Sequence, residues 1–160
     1  MRIGIVSDTH NHLANVARIV ELFNAAGVDR VVHTGDITQA KTLHALAGLD
    51  APVFGVWGNN DRERESLERA CLELDFQFSD PPLVLEWSER RITVLHDPLE
   101  LPDELRLSDA VLHGHTHRRV VERSAGRIVF NPGECAGHMT GHNAIGVLDL
   151  ESLEPEILLF

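Results

Sequence analysis

Apolar positions in this chain fall into short runs, and most of the runs close on a polar or glycine-containing block. Ile3, Gly4, Ile5 and Val6 form such a run, ended by Ser7 and Asp8, which predicts a buried strand. Over residues 13–26 the spacing becomes helical, through Leu13, Val16, Ala17, Val20, Leu22 and Phe23, and Gly27 stops it. Val31, Val32 and His33 predict a second strand. Residues 40–49 predict a second helix that Gly48 weakens near its end. Pro52 precedes a third strand over residues 53–57, and a charged periodic stretch at 62–74 predicts a mostly exposed helix. Strand–helix alternation of this kind predicts βαβ units and a parallel sheet.

The second half changes character. Residues 83–87, 91–95, 110–113, 120–122, 127–130, 144–150 and 155–160 are short and strand-like, many of them separated by turn residues. They are read as a second sheet packed on the first. Pro98 and Pro102 keep any helix between residues 97 and 107 short. The apolar end Ile157, Leu158, Leu159 and Phe160 reads as an inner strand or as an interface between copies. One domain over residues 1–160 is the natural unit for this length.

Chemistry gathers where the runs stop. Asp8 and His10, Asp36, Asn59, His96, then His115 and His117 each follow a predicted strand, and the C-terminal ends of parallel strands are where open α/β sheets build their sites. Four imidazoles, two carboxylates and an amide oxygen suit borderline or hard divalent metals. Seven donors exceed the four that one tetrahedral zinc takes. They suit two ions that share a ligand, an arrangement used for phosphoryl transfer.

Each block has a plainer explanation when taken alone. Asp8 and Thr9 are good helix caps, Gly35-Asp36 and Gly58-Asn59-Asn60-Asp61 are ordinary turns, and a single His96 is commonly a structural histidine. Asp8 and His10, two residues apart in extended backbone, lie on one face and reach one ion. Gly114-His115-Thr116-His117 is the most specific block, because two imidazoles flanked by glycine reach adjacent ions without conflict. His113 is expected to face inward as a hydrogen-bonded residue.

Charge and composition narrow the field. A net charge of −11 disfavours general nucleic-acid binding, and the absence of Tyr leaves no stacking platform for bases. Two dications carry about four positive charges against Asp8 and Asp36, so a metal pocket would attract phosphate on an acidic protein. Cys71 and Cys135 show no disulfide spacing. No signal-peptide pattern precedes the first strand and no apolar run reaches the length of a membrane span, so a cytoplasmic protein without a membrane partner is expected.

In this order, D-x-H, GD, GN-x-D, H and GH-x-H, the blocks resemble the calcineurin-like metallophosphoesterase superfamily. The chain length, the GN-N-D form and Asn131-Pro132-Gly133 resemble its small YfcE-type phosphodiesterase subgroup. The resemblance implies a four-layer α/β/β/α sandwich of two mixed sheets. It implies that Asp8, His10 and His117 bind one metal, that Asn59, His96 and His115 bind another, and that Asp36 bridges. It also implies hydrolysis of phosphate diesters by a hydroxide bridging the metals, with Asp36, Asn59 and His96 at the centre of catalysis. Manganese is the first choice of ion by resemblance; the donors alone do not separate it from iron, zinc or nickel. The family often forms homo-oligomers.

Two positions depart from the pattern. Many members carry a histidine after GN that serves as proton donor to the leaving group; here Asn60 has no titratable proton near neutral pH. Asp97 follows His96 and would repel a dianionic monoester more than a monoanionic diester. Asn131, Pro132, Gly133 and Glu134 predict a tight turn near the site. His138 and His142, in the Gly-rich stretch 137–143, read either as residues that touch substrate or replace the missing acid or, as the favoured reading, as exposed loop residues; His12 and His44 are expected as helix residues. Arg62 is expected to be solvated, and Cys135 small and buried. The rival reading is a non-catalytic metal-binding scaffold of phosphoesterase fold, as in the small retromer sorting subunit. The retained ligands count against it.

Overall fold

The computed structural model describes residues 1–138 and 141–160. Its first half is the predicted alternation: β1 (Arg2–Val6), α1 (Leu13–Ala26), β2 (Arg30–His33), α2 (Ala40–Leu46), β3 (Val53–Val56) and α3 (Arg64–Leu74). Left-handed Gly27 terminates α1, its N–H bonding to the Asn24 carbonyl. A short strand that the pattern did not predict follows, β4 (Gln77–Ser79), then β5 (Leu83–Trp87), β6 (Arg90–Val94), β7 (Ala110–Leu112), β8 (Val120–Ser124), β9 (Arg127–Asn131), β10 (Ala144–Asp149) and β11 (Glu154–Leu159).

Two mixed sheets result. The first has the order β11-β10-β1-β2-β3-β4 and the second β5-β6-β7-β9-β8. The expectation that the whole second half forms the second sheet is corrected here. β10 returns to pair antiparallel with β1, and β11 pairs with β10 at the edge of the first sheet. The apolar end is therefore an edge strand: Ile157 packs into the core between the sheets, Leu158 and Phe160 pack toward the helices, and Leu159 stays exposed. Alternation along a strand states which face is apolar but not which strand is the neighbour.

Three cores hold these layers together. Ile3, Ile5, Val32 and Val56 face Ile92, Val94, Leu112 and Phe130 between the sheets. Val16, Ile19 and Phe23 of α1 and Leu46 of α2 pack on the other face of the first sheet. Leu67, Ala70 and Cys71 anchor α3 beside Leu43 and Trp57. Among the described residues, all three α-helices belong to the first sheet. Over the second sheet the outer layer is reduced to two 3-10 turns, Pro98–Glu100 and Asp103–Leu105, and the segment that carries them is tied to β6 by a hydrogen bond between Ser108 and Thr93. Among the described residues no helix is long and apolar enough to cross a membrane. Both cysteines are free and buried.

This topology sets up the site. β1, β2 and β3 run parallel in one sheet, and β6, β7 and β9 run parallel in the other. The loops that leave their C-terminal ends meet at a single rim.

Candidate metal centre

All seven residues singled out by the sequence converge at that rim, in two clusters. In the first, the Asp8 Oδ1 atom lies 3.8 Å from His10 Nε2 and 3.5 Å from His117 Nε2. In the second, Asn59 Oδ1 lies 2.9 Å from His96 Nε2 and 3.1 Å from His115 Nδ1, and the two imidazole nitrogens are 3.2 Å apart. Asp36 stands between them, with Oδ2 3.4 Å from His10 Nε2 and Oδ1 3.5 Å from His96 Nε2.

Local backbone explains how these side chains reach inward. Asp8, His10, Asp36, His115 and His117 all adopt positive φ. That conformation is rare outside glycine, though Asp, Asn and His adopt it more readily than most. Such strain collects at functional sites. Two glycines are required by close approach. A Cβ on Gly58 would sit 2.2 Å from Asp36 Oδ1, and one on Gly114 would sit 1.9 Å from Ser7 Oγ and 2.9 Å from Asp8 Oδ2.

Hydrogen bonds orient each donor. Ser7 Oγ and the His115 backbone N–H both donate to Asp8 Oδ2, leaving Oδ1 to face the cluster. The Thr34 carbonyl accepts from His96 Nδ1, so a neutral His96 presents a lone pair at Nε2. Asn60 grips Asp36 twice, through its amide to Oδ2 at 2.8 Å and its backbone N–H to Oδ1 at 2.9 Å. Buried Asp61 accepts the backbone N–H groups of Asp36, Thr38 and Gly58, which locks the Asp36 loop to the Asn59 loop. Fully buried His33 does the same for its neighbours, contacting Thr9 Oγ1 and accepting the Gly35 N–H.

The electrostatics follow from burial and these bonds. Burial raises the Asp8 carboxyl, against the pull of Ser7 and His117. Burial would raise Asp36 too, but the adjacent His96 imidazole and the two hydrogen bonds from Asn60 outweigh it and hold that carboxyl well below the ordinary range. Burial lowers His10 against the opposing pull of Asp36 and Asp8, and lowers His33 to about 3. For His96 burial lowers the imidazole, yet Asp36 and the Thr34 carbonyl prevail and leave it raised.

The donor set fits divalent ions. Asp8 Oδ1 and His10 Nε2 are buried with no hydrogen-bond partner among the described residues. Around Asn59, one amide oxygen and two imidazole nitrogens crowd together, a donor set that a cation would satisfy. With metal–ligand bonds of about 2.1 Å, neighbouring donors stand roughly 3 Å apart. Asp8, His10 and His117 could hold one ion, and Asp8, Asp36 and His96 form a second group of ligand atoms within 4.8 Å of one another.

The structure also brings in residues that the sequence reading left aside. His138, expected as an exposed loop residue, is exposed but lies over the first cluster, its ring 5.4 Å from that of His117 and 5.6 Å from that of His10. Residues 139 and 140 of the same Gly-rich stretch lie outside the described residues. Glu134 is buried, with Oε2 3.0 Å from His117 Nδ1. The Asn-Pro-Gly turn placed it near the site, but nothing in the spacing showed where its side chain would point. Asp97 Oδ2 lies 3.6 Å from His115 Nε2, and its Oδ1 accepts the Leu99 N–H. Other expectations hold as stated: His113 is buried and hydrogen-bonded, His12 caps α1, Arg62 is exposed and Cys135 is buried.

Known proteins resemble this chain in sequence and fold. A family model described as the calcineurin-like phosphoesterase superfamily domain matches residues 1–153. The chain is 36% identical over 159 residues to phosphodiesterase MJ0936 of Methanocaldococcus jannaschii, covering 96% of each. It is 28% identical over 170 residues to phosphodiesterase YfcE of Escherichia coli K12, covering 96% of this chain and 90% of that one. A solved archaeal phosphodiesterase superposes with a TM-score of 0.90 at 35% identity, over the full length of both chains. With the family's fold and its five sequence blocks gathered at one rim, this chain belongs to the calcineurin-like phosphoesterase superfamily.

Proposed function

We propose that this protein is a phosphodiesterase that works with two divalent ions on small phosphate diesters. Asp8, His10 and His117 hold one ion, Asn59, His96 and His115 hold the other, and Asp36 is shared. The observation that carries this reading is the Asp36 carboxylate, which turns one oxygen to each cluster at 3.4 and 3.5 Å. Two relatives named as phosphodiesterases, similar over nearly the whole chain, support the same activity.

Bound dications supply Lewis acidity, an activated water and charge neutralisation for the phosphoryl group. The chain's own residues do the rest. Asn60 immobilises Asp36, and Thr34 keeps the His96 lone pair aimed inward. A cleft of about 230 Å³ adjoins the second cluster, lined by Trp57, Asn59, Arg64, His96, Asp97 and His115, and receives the ester. Because the Asn60 amide is spent on Asp36 and carries no acidic proton, no group at that position protonates the leaving alcohol. Esters with good leaving groups are therefore the better substrates. Asp97 at the cleft adds a negative charge that disfavours dianionic monoesters.

The test is hydrolysis of bis-p-nitrophenyl phosphate beside p-nitrophenyl phosphate by metal-stripped protein titrated with manganese. Diester turnover should saturate with metal and exceed monoester turnover. Asp36→Asn should lower kcat about a thousandfold, the loss of several kcal/mol of metal-held stabilisation. Two ions bound per chain without turnover under manganese, iron, zinc or nickel would instead favour the scaffold reading.

A further inference from the structure

We propose that Glu134 is a positioning residue for the first metal ion, acting through His117; the proposal rests on His117 being a ligand. The carboxylate is buried at 1% exposure and its Oε2 stands 3.0 Å from His117 Nδ1. A carboxylate only accepts, so this contact puts the imidazole proton on Nδ1 and leaves a lone pair on Nε2. That nitrogen faces Asp8 Oδ1 at 3.5 Å, and Asp8 Oδ1 is itself buried without a hydrogen-bond partner among the described residues. The Glu134 carboxylate and the Asp8 oxygen thus flank the two ring nitrogens of His117. An outer carboxylate of this kind fixes ring orientation and tautomer and raises the basicity of the ligating nitrogen.

Hydrogen bonds tie down the backbone on both sides of Glu134. The turn after β9 is closed by the Gly133 N–H donating to Asn131 Oδ1, with Gly133 at φ 109°. The Glu134 carbonyl accepts the Ala144 N–H at the start of β10, and the Sγ of neighbouring Cys135 donates to the Ala144 carbonyl. Two strands from different sheets therefore hold the carboxylate against His117. Among the described residues, no buried carboxylate stands behind a histidine of the second cluster in the same way. Asp97 Oδ2 approaches His115 Nε2 only to 3.6 Å, its side chain is 25% exposed, and its other oxygen is engaged by the Leu99 N–H. The two histidines also present opposite ring nitrogens, Nε2 of His117 and Nδ1 of His115. Outer-sphere control by a buried carboxylate thus falls on the first cluster, while His96 of the second is oriented by the neutral Thr34 carbonyl.

The experiment is calorimetric titration of the metal-stripped full chain with manganese, comparing wild type, Glu134→Gln and His117→Ala. Glu134→Gln keeps the size and one acceptor but removes the charge. It should weaken one of two binding steps 10–100-fold and leave the other within about twofold. Both steps unchanged in Glu134→Gln, with one step lost in His117→Ala, would overturn the positioning role alone. Both steps unchanged in His117→Ala would overturn the ligand assignment beneath it. A second measurement needs no variant: long-range proton–nitrogen spectra of the zinc-loaded wild type should find the His117 proton on Nδ1. A proton on Nε2 would overturn the proposal.

Discussion

The two halves of the centre are built from different materials. The first offers the Asp8 carboxylate, whose Oδ1, without a hydrogen-bond partner among the described residues, faces His10 and His117, and is backed by buried Glu134. The second offers only neutral donors of its own, Asn59, His96 and His115, backed at longer range by the partly exposed Asp97. Asp36 is common to both. A hard dication gains most from anionic oxygen, so on the proposed two-ion reading the first half should be the tight position and the second the labile one. Both share a rim, a fold and similar imidazoles. What separates them is the placement of carboxylates, one buried and aligned and the other at the edge of an open cleft.

The most severe way to break this comparison is to collapse one half at a time. Gly114→Ala drives a Cβ into Ser7 Oγ and Asp8 Oδ2, and Gly58→Ala drives one into Asp36 Oδ1. Overpacking of this kind costs about 1–3 kcal/mol of stability, measurable by urea denaturation. Beyond that shared cost, manganese titration should separate the variants. Gly114→Ala should lose the tight step and keep a weak one, while Gly58→Ala should weaken both because Asp36 is shared. Equal loss of both steps in Gly114→Ala would contradict the asymmetry.

A milder test sharpens it without mutation. Ligand present at about a hundred times its dissociation constant stabilises a protein by about 2.7 kcal/mol. For a chain of this size each kcal/mol moves Tm by roughly 2–4 °C. Chelation should therefore lower Tm by about 5–10 °C, and stepwise return of manganese should restore most of that with the first equivalent. A larger rise with the second equivalent would reverse the ranking of the halves.

The smallest expected effect concerns the outer carboxylate of the labile half. Asp97→Asn keeps an acceptor for the Leu99 N–H but removes the charge beside His115. The ratio of monoester to diester turnover should rise about 2–5-fold, the equivalent of about 0.4–1 kcal/mol for a partly exposed charge. An unchanged ratio would show that Asp97 only caps its turn.

Much of this site was legible in one dimension. A ligand-type residue after each apolar run is a local pattern, and it located all seven side chains that meet at the rim. Local patterns could not reveal partners drawn from remote parts of the chain. Asn60 stands in the sequence as the wrong residue for proton donation; in three dimensions its amide and backbone N–H grip Asp36. Asp61 looks like the end of a turn and instead joins two loops through three backbone N–H groups. His138 looks like a loop histidine and lies over the first cluster. In each case the residue's direction depends on a neighbour some 20 or more positions away.

Sequence alone therefore determined the elements of the first half, the family and the identities of the candidate ligands, because helical and strand periodicity and motif order are properties of adjacent residues. Tertiary structure decided the rest. It returned β10 and β11 to the first sheet, since a buried apolar strand such as β10 carries no label for its partner. It carried the short helical turns between Pro98 and Leu105 onto the second sheet. It also set Glu134 behind His117 and left Asp97 at the cleft edge, because the reach and burial of a carboxylate are fixed by what packs around it.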